Sequence, residues 1–161
     1  MSVYRGDEEE MDMGADRLRP FLGKSSDPVR NEVEKRAIRK FARAIGSNNP
    51  LYLDEEYAQR SRYGRLLAPP TFSRTFDYGS IPGLDFPRDG LLHGEQAYEY
   101  FRPILAGDTV YCSMELTDVV EKQGRSGAMT LVVFTYRVLS EGGELLERSR
   151  STLIRRGQGE E

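Results

Sequence analysis

Apolar positions along the chain follow two different periods. Ala37, Ile38, Phe41, Ala42 and Ile45 recur at the spacing of one buried helical face, which predicts a helix over residues 35–45. An extended segment over 31–34, anchored by Val33, leads into it. Gly46 ends it, because glycine accepts the left-handed conformation that closes a helix. Ser47-Asn48-Asn49-Pro50 then turns the chain, with Pro50 driving Asn49 out of helical geometry. Asp54 is placed to cap a short helix over 55–60, where Glu55 and Glu56 suit the positive end of the macrodipole. A loop spans 61–67, and Ala68-Pro69-Pro70-Thr71-Phe72 reads as the start of a further helix, since proline is tolerated in a first turn. Residues 79–90, rich in Gly and Pro, form a loop.

The second half changes to a period of two. Residues 91–101 read as extended, and Ala106-Gly107-Asp108 as a turn. Val110, Cys112, Met114 and Leu116 alternate with Tyr111, Ser113, Glu115 and Thr117, the pattern of a half-buried strand over 110–121. Residues 128–139 are apolar on both faces over much of their length, as a central strand is. Glu141-Gly142-Gly143 makes a hairpin turn, and 144–156 returns with Leu145, Leu146, Leu153 and Ile154. Helices followed by long antiparallel strands give an α+β layout, with a helix packed on a curved sheet.

Composition narrows the function classes. The chain has 161 residues, enough for one core without staples. A net charge of −3 argues against a dedicated nucleic-acid binder. One His and one Cys, Cys112, exclude an intrachain disulfide and the usual zinc spacings, so no metal site is expected. No run approaches the ~20 apolar residues of a membrane-spanning helix, and the acidic start lacks the apolar core of a signal peptide. The expectation is a cytoplasmic protein with no membrane partner. Residues 1–17 read as an acidic, disordered or loosely docked tail, 18–156 as one domain and 157–161 as a C-terminal tail.

The segments FARAIGSNNPLYLDEEYA, APPTF and LHGEQAYEYFRPILAGD, with the terminal strands, resemble the MaoC-like (R)-specific enoyl-thioester hydratases and dehydratases. The nearest group is their fatty-acid-synthase-like N-terminal dehydratase subfamily, and the resemblance covers about residues 33–155. It implies a single hot-dog fold, an antiparallel sheet wrapped around a central helix that would begin here at Pro70. It implies a 2-enoyl or 3-hydroxyacyl thioester as ligand. The only cofactor chemistry would be the coenzyme A or acyl-carrier phosphopantetheine that belongs to the substrate. It also implies pairing with a second hot-dog unit, as homodimer or heterodimer.

Active members of the family carry Gly-Asp-x-Asn-Pro-x-His, whose Asp and His hold the water that adds across the double bond. Gly46-Ser47-Asn48-Asn49-Pro50-Leu51-Tyr52 keeps this frame but places Ser47 and Tyr52 at the catalytic positions. Serine is no base unaided, and a tyrosine titrates normally at about 10, so these positions are expected to be inactive. Each lost group is worth ~10²–10⁴-fold. Active members also open the central helix with His-Gly, whose glycine N–H polarises the thioester carbonyl. Pro69-Pro70 stand there in this chain, and proline has no N–H. Thr71 would be the first donor available.

By the same resemblance Asn49, Pro70, Thr71, Phe72 and His93 are the candidate substrate-binding residues. His93 reads as an ordinary strand residue or, paired with Glu95, as a substitute base. Asp54, Glu55 and Asp108 read as capping and turn residues. Tyr98, Tyr100 and Phe101 line either the core or an acyl tunnel. Arg36, Arg39, Lys40 and Arg43, like Arg148 and Arg150, read as solvated faces or as contacts for a carrier's phosphates. Three functions stay open: a hydratase/dehydratase subunit with a catalytic partner, a hot-dog thioesterase or hydratase with non-standard residues, and a non-enzymatic acyl-CoA-binding module.

Overall fold

The computed structural model of the protein describes residues 14–86, 90–124 and 127–156. In chain order the elements are α1 (Ala15–Leu18), β1 (Val29–Glu32), α2 (Lys35–Ala44), α3 (Pro50–Leu53) and α4 (Glu55–Arg60). β2 (Leu91–Tyr100), β3 (Thr109–Gly124), β4 (Gly127–Ser140) and β5 (Leu145–Arg156) follow. The strands form one antiparallel sheet in the order β1-β3-β4-β5-β2. This is the α+β fold expected from the period change. β4, the strand read as apolar on both faces, lies at the centre. Of the expected N-terminal tail, residues 1–13 lie outside the described residues, as does the C-terminal tail, 157–161. Ala15 and Leu18 are buried against Ile81, Leu116 and Phe134, so ordered packing begins before residue 18.

The amphipathic face of α2 packs as its spacing predicts except at Ile45, which lies just past the helix and is 53% exposed. Ile38 and Ala42 are fully buried, and Phe41 packs beside them against the sheet. The helix closes on Gly46, at φ 70°, with Gly46 N–H donating to the Arg43 carbonyl and Ser47 N–H to that of Ala42. These paired bonds satisfy carbonyls that the helix end would otherwise leave open. Asn49 then caps α3, its side chain accepting from the Leu51 N–H at 3.0 Å, and Asp54 caps α4 from the Tyr57 N–H at 3.0 Å. α3 itself was not anticipated, because Ser47 to Pro50 reads as a turn and the turn of helix after it has no periodicity to show.

The long central helix expected at Pro70 is absent from the described residues. Phe72–Thr75 makes a single 3-10 turn, and Phe76 is already extended. Local chemistry explains this. Thr, Ser, Asp and aromatic residues crowd the segment, and all are indifferent helix formers. Asn31 binds the backbone of Asp77 twice, to its N–H and to its carbonyl, each at 2.9 Å. The Asp77 carboxylate accepts from the Gly79 N–H at 2.8 Å. These bonds hold in an extended path the residues that would have formed the second helical turn. The segment still crosses the sheet's inner face: Tyr78 packs edge-on to Tyr136, with centroids 5.0 Å apart. Phe72 stands edge-on to both Phe41 and Phe76.

Register sets which side chains share that face, because directly opposed residues project together. One row runs across all five strands as Val29, Cys112, Val138, Glu147 and Tyr100. The next holds Met114, Tyr136, Ser149 and Tyr98, and a third Leu116, Phe134, Ser151 and Gln96. The inner face is therefore apolar over β3 and β4 and polar over β5 and β2. A register break between Leu116 and Asp118 moves the inward set of β3 from even to odd residues, which is why Val119 is buried. Another break lies between His93 and Glu95. Gly94 sits there, where a Cβ would come within 2.8 Å of Ile154 Cδ1.

Candidate functional site

A cleft of about 240 Å³ opens between α3, the loop before Phe72 and the end of β2. Its walls are Tyr52, Tyr63, Leu67, Pro69, Pro70, Tyr100, Phe101 and Ile104, and Glu147 also lines it. α3 orients Tyr52, and Leu67 is tied back to it by an N–H bond to the Leu51 carbonyl at 2.9 Å. Ala68 and Ala106 exchange backbone bonds with Ile104 and Leu66, so the Pro69-Pro70 wall is fixed to the opposite side. The Tyr100 hydroxyl donates to the Pro70 carbonyl at 2.8 Å, closing one end. That hydroxyl is pushed up to about 12, first by desolvation and then by Glu147 and Tyr98, so it stays protonated.

The candidate residues separate on this geometry. Tyr52 and Pro70 line the cleft. Ser47 does not, and its hydroxyl accepts from the Asn49 N–H at 3.3 Å. The two dyad positions therefore do not meet in this cleft. Asn49 acts as the cap of α3. Thr71 is exposed, and Phe72 is a core residue at 2% exposure rather than a cleft wall. His93 is exposed and lies outside the cleft. The break at Gly94 puts His93 opposite Leu153 and Glu95 opposite Thr152, adjacent residues of β5 that face opposite ways, so the His93–Glu95 pair is not assembled. Glu95 instead lies 3.5 Å from Arg150.

The remaining candidates resolve similarly. Asp54 caps, and Glu55 pairs with Lys35 and Arg39. Asp108 accepts from the Leu105 N–H and meets Arg65 at 2.9 Å, the work of a turn residue. Tyr98 stacks on Tyr100 at 5.8 Å, and Arg148 pairs with Glu99 on the outer face. Arg36, Arg39, Lys40 and Arg43 line an open groove along α2, and Arg39 also donates to the Leu53 carbonyl and to Glu55. Among the described residues no cluster of three or more His, Cys, Asp or Glu is arranged to hold a metal. No helix there is long and apolar enough to cross a membrane.

Glu147 is the residue that sequence reasoning missed. It is 2% exposed and receives the Ser73 hydroxyl at 2.6 Å. Burial raises its pKa, opposed by the Ser73 bond and by Arg74. The signal was present: with Arg148 and Arg150 facing out, Glu147, Ser149 and Ser151 must face in. Cys112, next but one along the same row, is likewise pushed up to about 12, chiefly by burial, so its thiol is not a ready nucleophile.

Residues 20–148 match the family described as FAS1-like, dehydratase domain region. A UPF0336 protein of Parafrankia sp. (strain EAN1pec) is 33% identical over 144 residues, which cover 85% of this chain and 93% of the relative. A UPF0336 protein of Thermobifida fusca (strain YX) is 32% identical over 148 residues, 86% and 93% of the two chains. Among solved structures, the HadBC (3R-hydroxyacyl-ACP dehydratase) complex of Mycobacterium tuberculosis matches with TM-score 0.67 and 26% identity, over 83% of this chain and 96% of that one. The ChsH1-ChsH2 complex of the same organism shares the fold, with TM-score 0.72 and 20% identity over 91% of both chains. With the sheet order, the cleft and these similarities together, the chain belongs to the FAS1-like dehydratase-region family and carries the MaoC-like hot-dog fold.

Proposed function

We propose that the protein is one subunit of a two-chain hydratase/dehydratase that interconverts 2-enoyl and 3-hydroxyacyl thioesters. In this reading it shapes the acyl site, and a second hot-dog chain supplies the Asp and His. The observation that carries it is the cleft itself. Its walls include Tyr52, Pro69 and Pro70, the positions at which the resemblance expects the catalytic His and the helix-opening His-Gly, so it presents neither that His nor that backbone N–H. An apolar and aromatic slot without an acid–base pair fits binding better than unaided chemistry.

A free sheet edge supports the partner. Among the described residues β2 pairs with β5 on one side only, and Leu92, Tyr100 and Phe101 are exposed along or just beyond it. Such an edge invites another strand. The HadBC and ChsH1-ChsH2 structures are themselves complexes. The groove of Arg36, Lys40 and Arg43 suits the phosphates of coenzyme A or of a carrier arm.

The test is co-expression with a MaoC-like hot-dog chain carrying Asp-x-Asn-Pro-x-His. The expected result is a stable complex that hydrates trans-2-enoyl-CoA. Activity should disappear when the mate's His is replaced, and assembly should weaken with Leu92→Lys on β2. A mate whose activity is the same with and without this chain would contradict the proposal.

A further inference from the structure

Glu147 has no part in a cleft that merely holds an alkyl chain, and its setting is specific. It stands between Val138 and Tyr100 in the sheet's inner row, 2% exposed, and it lines the cleft opposite Tyr52 and Pro69. Burying a carboxylate is costly unless a cation and several donors meet it. Ser73 is its one hydrogen-bond partner among the described residues, at 2.6 Å. The nearest cation from the covering segment, Arg74, lies over the Tyr136 ring, 5.5 Å from the centroid, and forms no ion pair with it. Arg102, at the cleft mouth, is paired with Glu144.

The other titratable groups around it are Tyr78, Cys112, Tyr98 and Tyr100, all themselves held protonated by burial. Burial beside these groups, with no ion pair to offset it, favours the protonated carboxyl, against the Ser73 bond and the more distant Arg74 charge. A neutral carboxyl has one proton to give. With the Ser73 hydroxyl donating to Oε1, the proton on the other oxygen is available to whatever occupies the cleft.

The donors on the cleft wall are few. Pro69 and Pro70 have no N–H, and the Tyr100 hydroxyl is already spent on the Pro70 carbonyl. The Tyr52 and Tyr63 hydroxyls stand on the helix and loop side of the cleft; of the groups that β2 and β5 bring to it, only Glu147 is left to meet an oxygen entering beside Pro70. We infer that the Glu147 carboxyl donates a hydrogen bond to an uncharged acceptor oxygen of the ligand, the thioester carbonyl, in place of the backbone donor that the two prolines remove. This rests on the acyl-thioester reading of the cleft. It makes Glu147 a ligand-binding residue, selective for a carbonyl-bearing acyl group over a plain hydrocarbon.

The experiment uses the full chain and crotonyl-CoA labelled with ¹³C at the thioester carbonyl. Infrared difference spectra and binding isotherms are taken for wild type, Glu147→Gln and Glu147→Leu across acidic to mildly alkaline pH. Wild type should show a protonated-carboxyl band that is missing in E147Q and shifts when crotonyl-CoA is added, with the labelled carbonyl band moving to lower frequency. Wild-type affinity should fall as pH rises through the ionisation of Glu147, and E147Q should bind with a flat profile. E147L should bind about 3–10-fold more weakly, the loss of one hydrogen bond. If crotonyl-CoA binds but the carboxyl band does not respond, and E147L matches wild type, the inference is overturned and the acyl-thioester reading stands. If the wild type binds no crotonyl-CoA at any pH while its carboxyl band is present, the acyl-thioester reading fails and takes the inference with it. The wild-type spectra need no variant, so a misfolded E147L leaves the test intact.

Discussion

Replacing Phe72 with alanine separates a core role from a role in the ligand site. The ring is 2% exposed, packs under α2, and meets Phe41 at 5.6 Å and Phe76 at 5.5 Å, both edge-on. Truncating a buried Phe costs about 3–5 kcal/mol through lost transfer energy and the cavity left behind. The two edge-on contacts, about 0.5–1.5 kcal/mol each, place this site near the top of that range. A domain of this size stands to lose ~2–4 °C per kcal/mol, so a loss of about 5 kcal/mol should make Phe72→Ala melt about 10–20 °C lower. In urea the midpoint should drop with an unchanged slope, because the same surface is exposed on unfolding. Phe72→Leu, which keeps much of the volume but loses both edge-on contacts, should cost about 1–3 kcal/mol. A Phe72→Ala protein with an unchanged midpoint but no acyl-CoA binding would refute the packing described, since the ring would then be a wall of the site.

Other expected outcomes follow from single contacts. Gly46→Ala, in the left-handed conformation at φ 70°, should lower stability by about 1–2 kcal/mol in a thermal melt, and Gly46→Asn by less. Glu147 has a folded pKa above its ordinary 4.5, so the folded state holds its proton where the unfolded chain has released it. Stability should therefore be full below that value and fall as pH rises from it towards the folded pKa, and urea titrations of Glu147→Gln should show this component gone. Ser73→Ala removes the bond that opposes the shift, so Glu147 should titrate higher still, with about 1–3 kcal/mol lost if the carboxyl is left unsatisfied. Ser47→Asp with Tyr52→His should fall short of the ~10²–10⁴-fold per group of a placed acid–base pair, because Ser47 lies outside the cleft; steady-state hydration measures it.

Much of the architecture was legible because it rests on short-range rules. The α2 face, its Gly46 stop, the Asp54 cap, the β3 alternation and the Glu141-Gly142-Gly143 hairpin each follow from a period or a turn residue, and each appears where expected. The central helix is missing partly because the segment is rich in indifferent helix formers and partly for a non-local reason. Asn31, 46 positions before Asp77 in the chain, holds the backbone extended, and no local pattern records that bond. His93 sits on β2 as an ordinary strand residue would, and its pairing with Glu95 is not assembled because a register break falls between them at Gly94, which alternation alone does not reveal. By the resemblance, Ser47 and Tyr52 stand where the family's acid and base are expected. That only Tyr52 reaches the cleft depends on how α3 turns. Glu147 is legible by parity along β5, where it alternates with the outward Arg148 and Arg150, but an inward carboxylate runs against the apolar pattern that marks a core position.

The central claim is that this chain holds an acyl thioester without processing it alone. The most direct measurement is steady-state hydration of a short and a long trans-2-enoyl-CoA by the purified chain, at enzyme concentrations high enough to expose slow turnover, with binding followed in the same samples. The account predicts saturable binding and no hydration above the uncatalysed rate. Turnover at a rate ordinary for hydratases would contradict it, and would mean that a group in this cleft is a competent base after all.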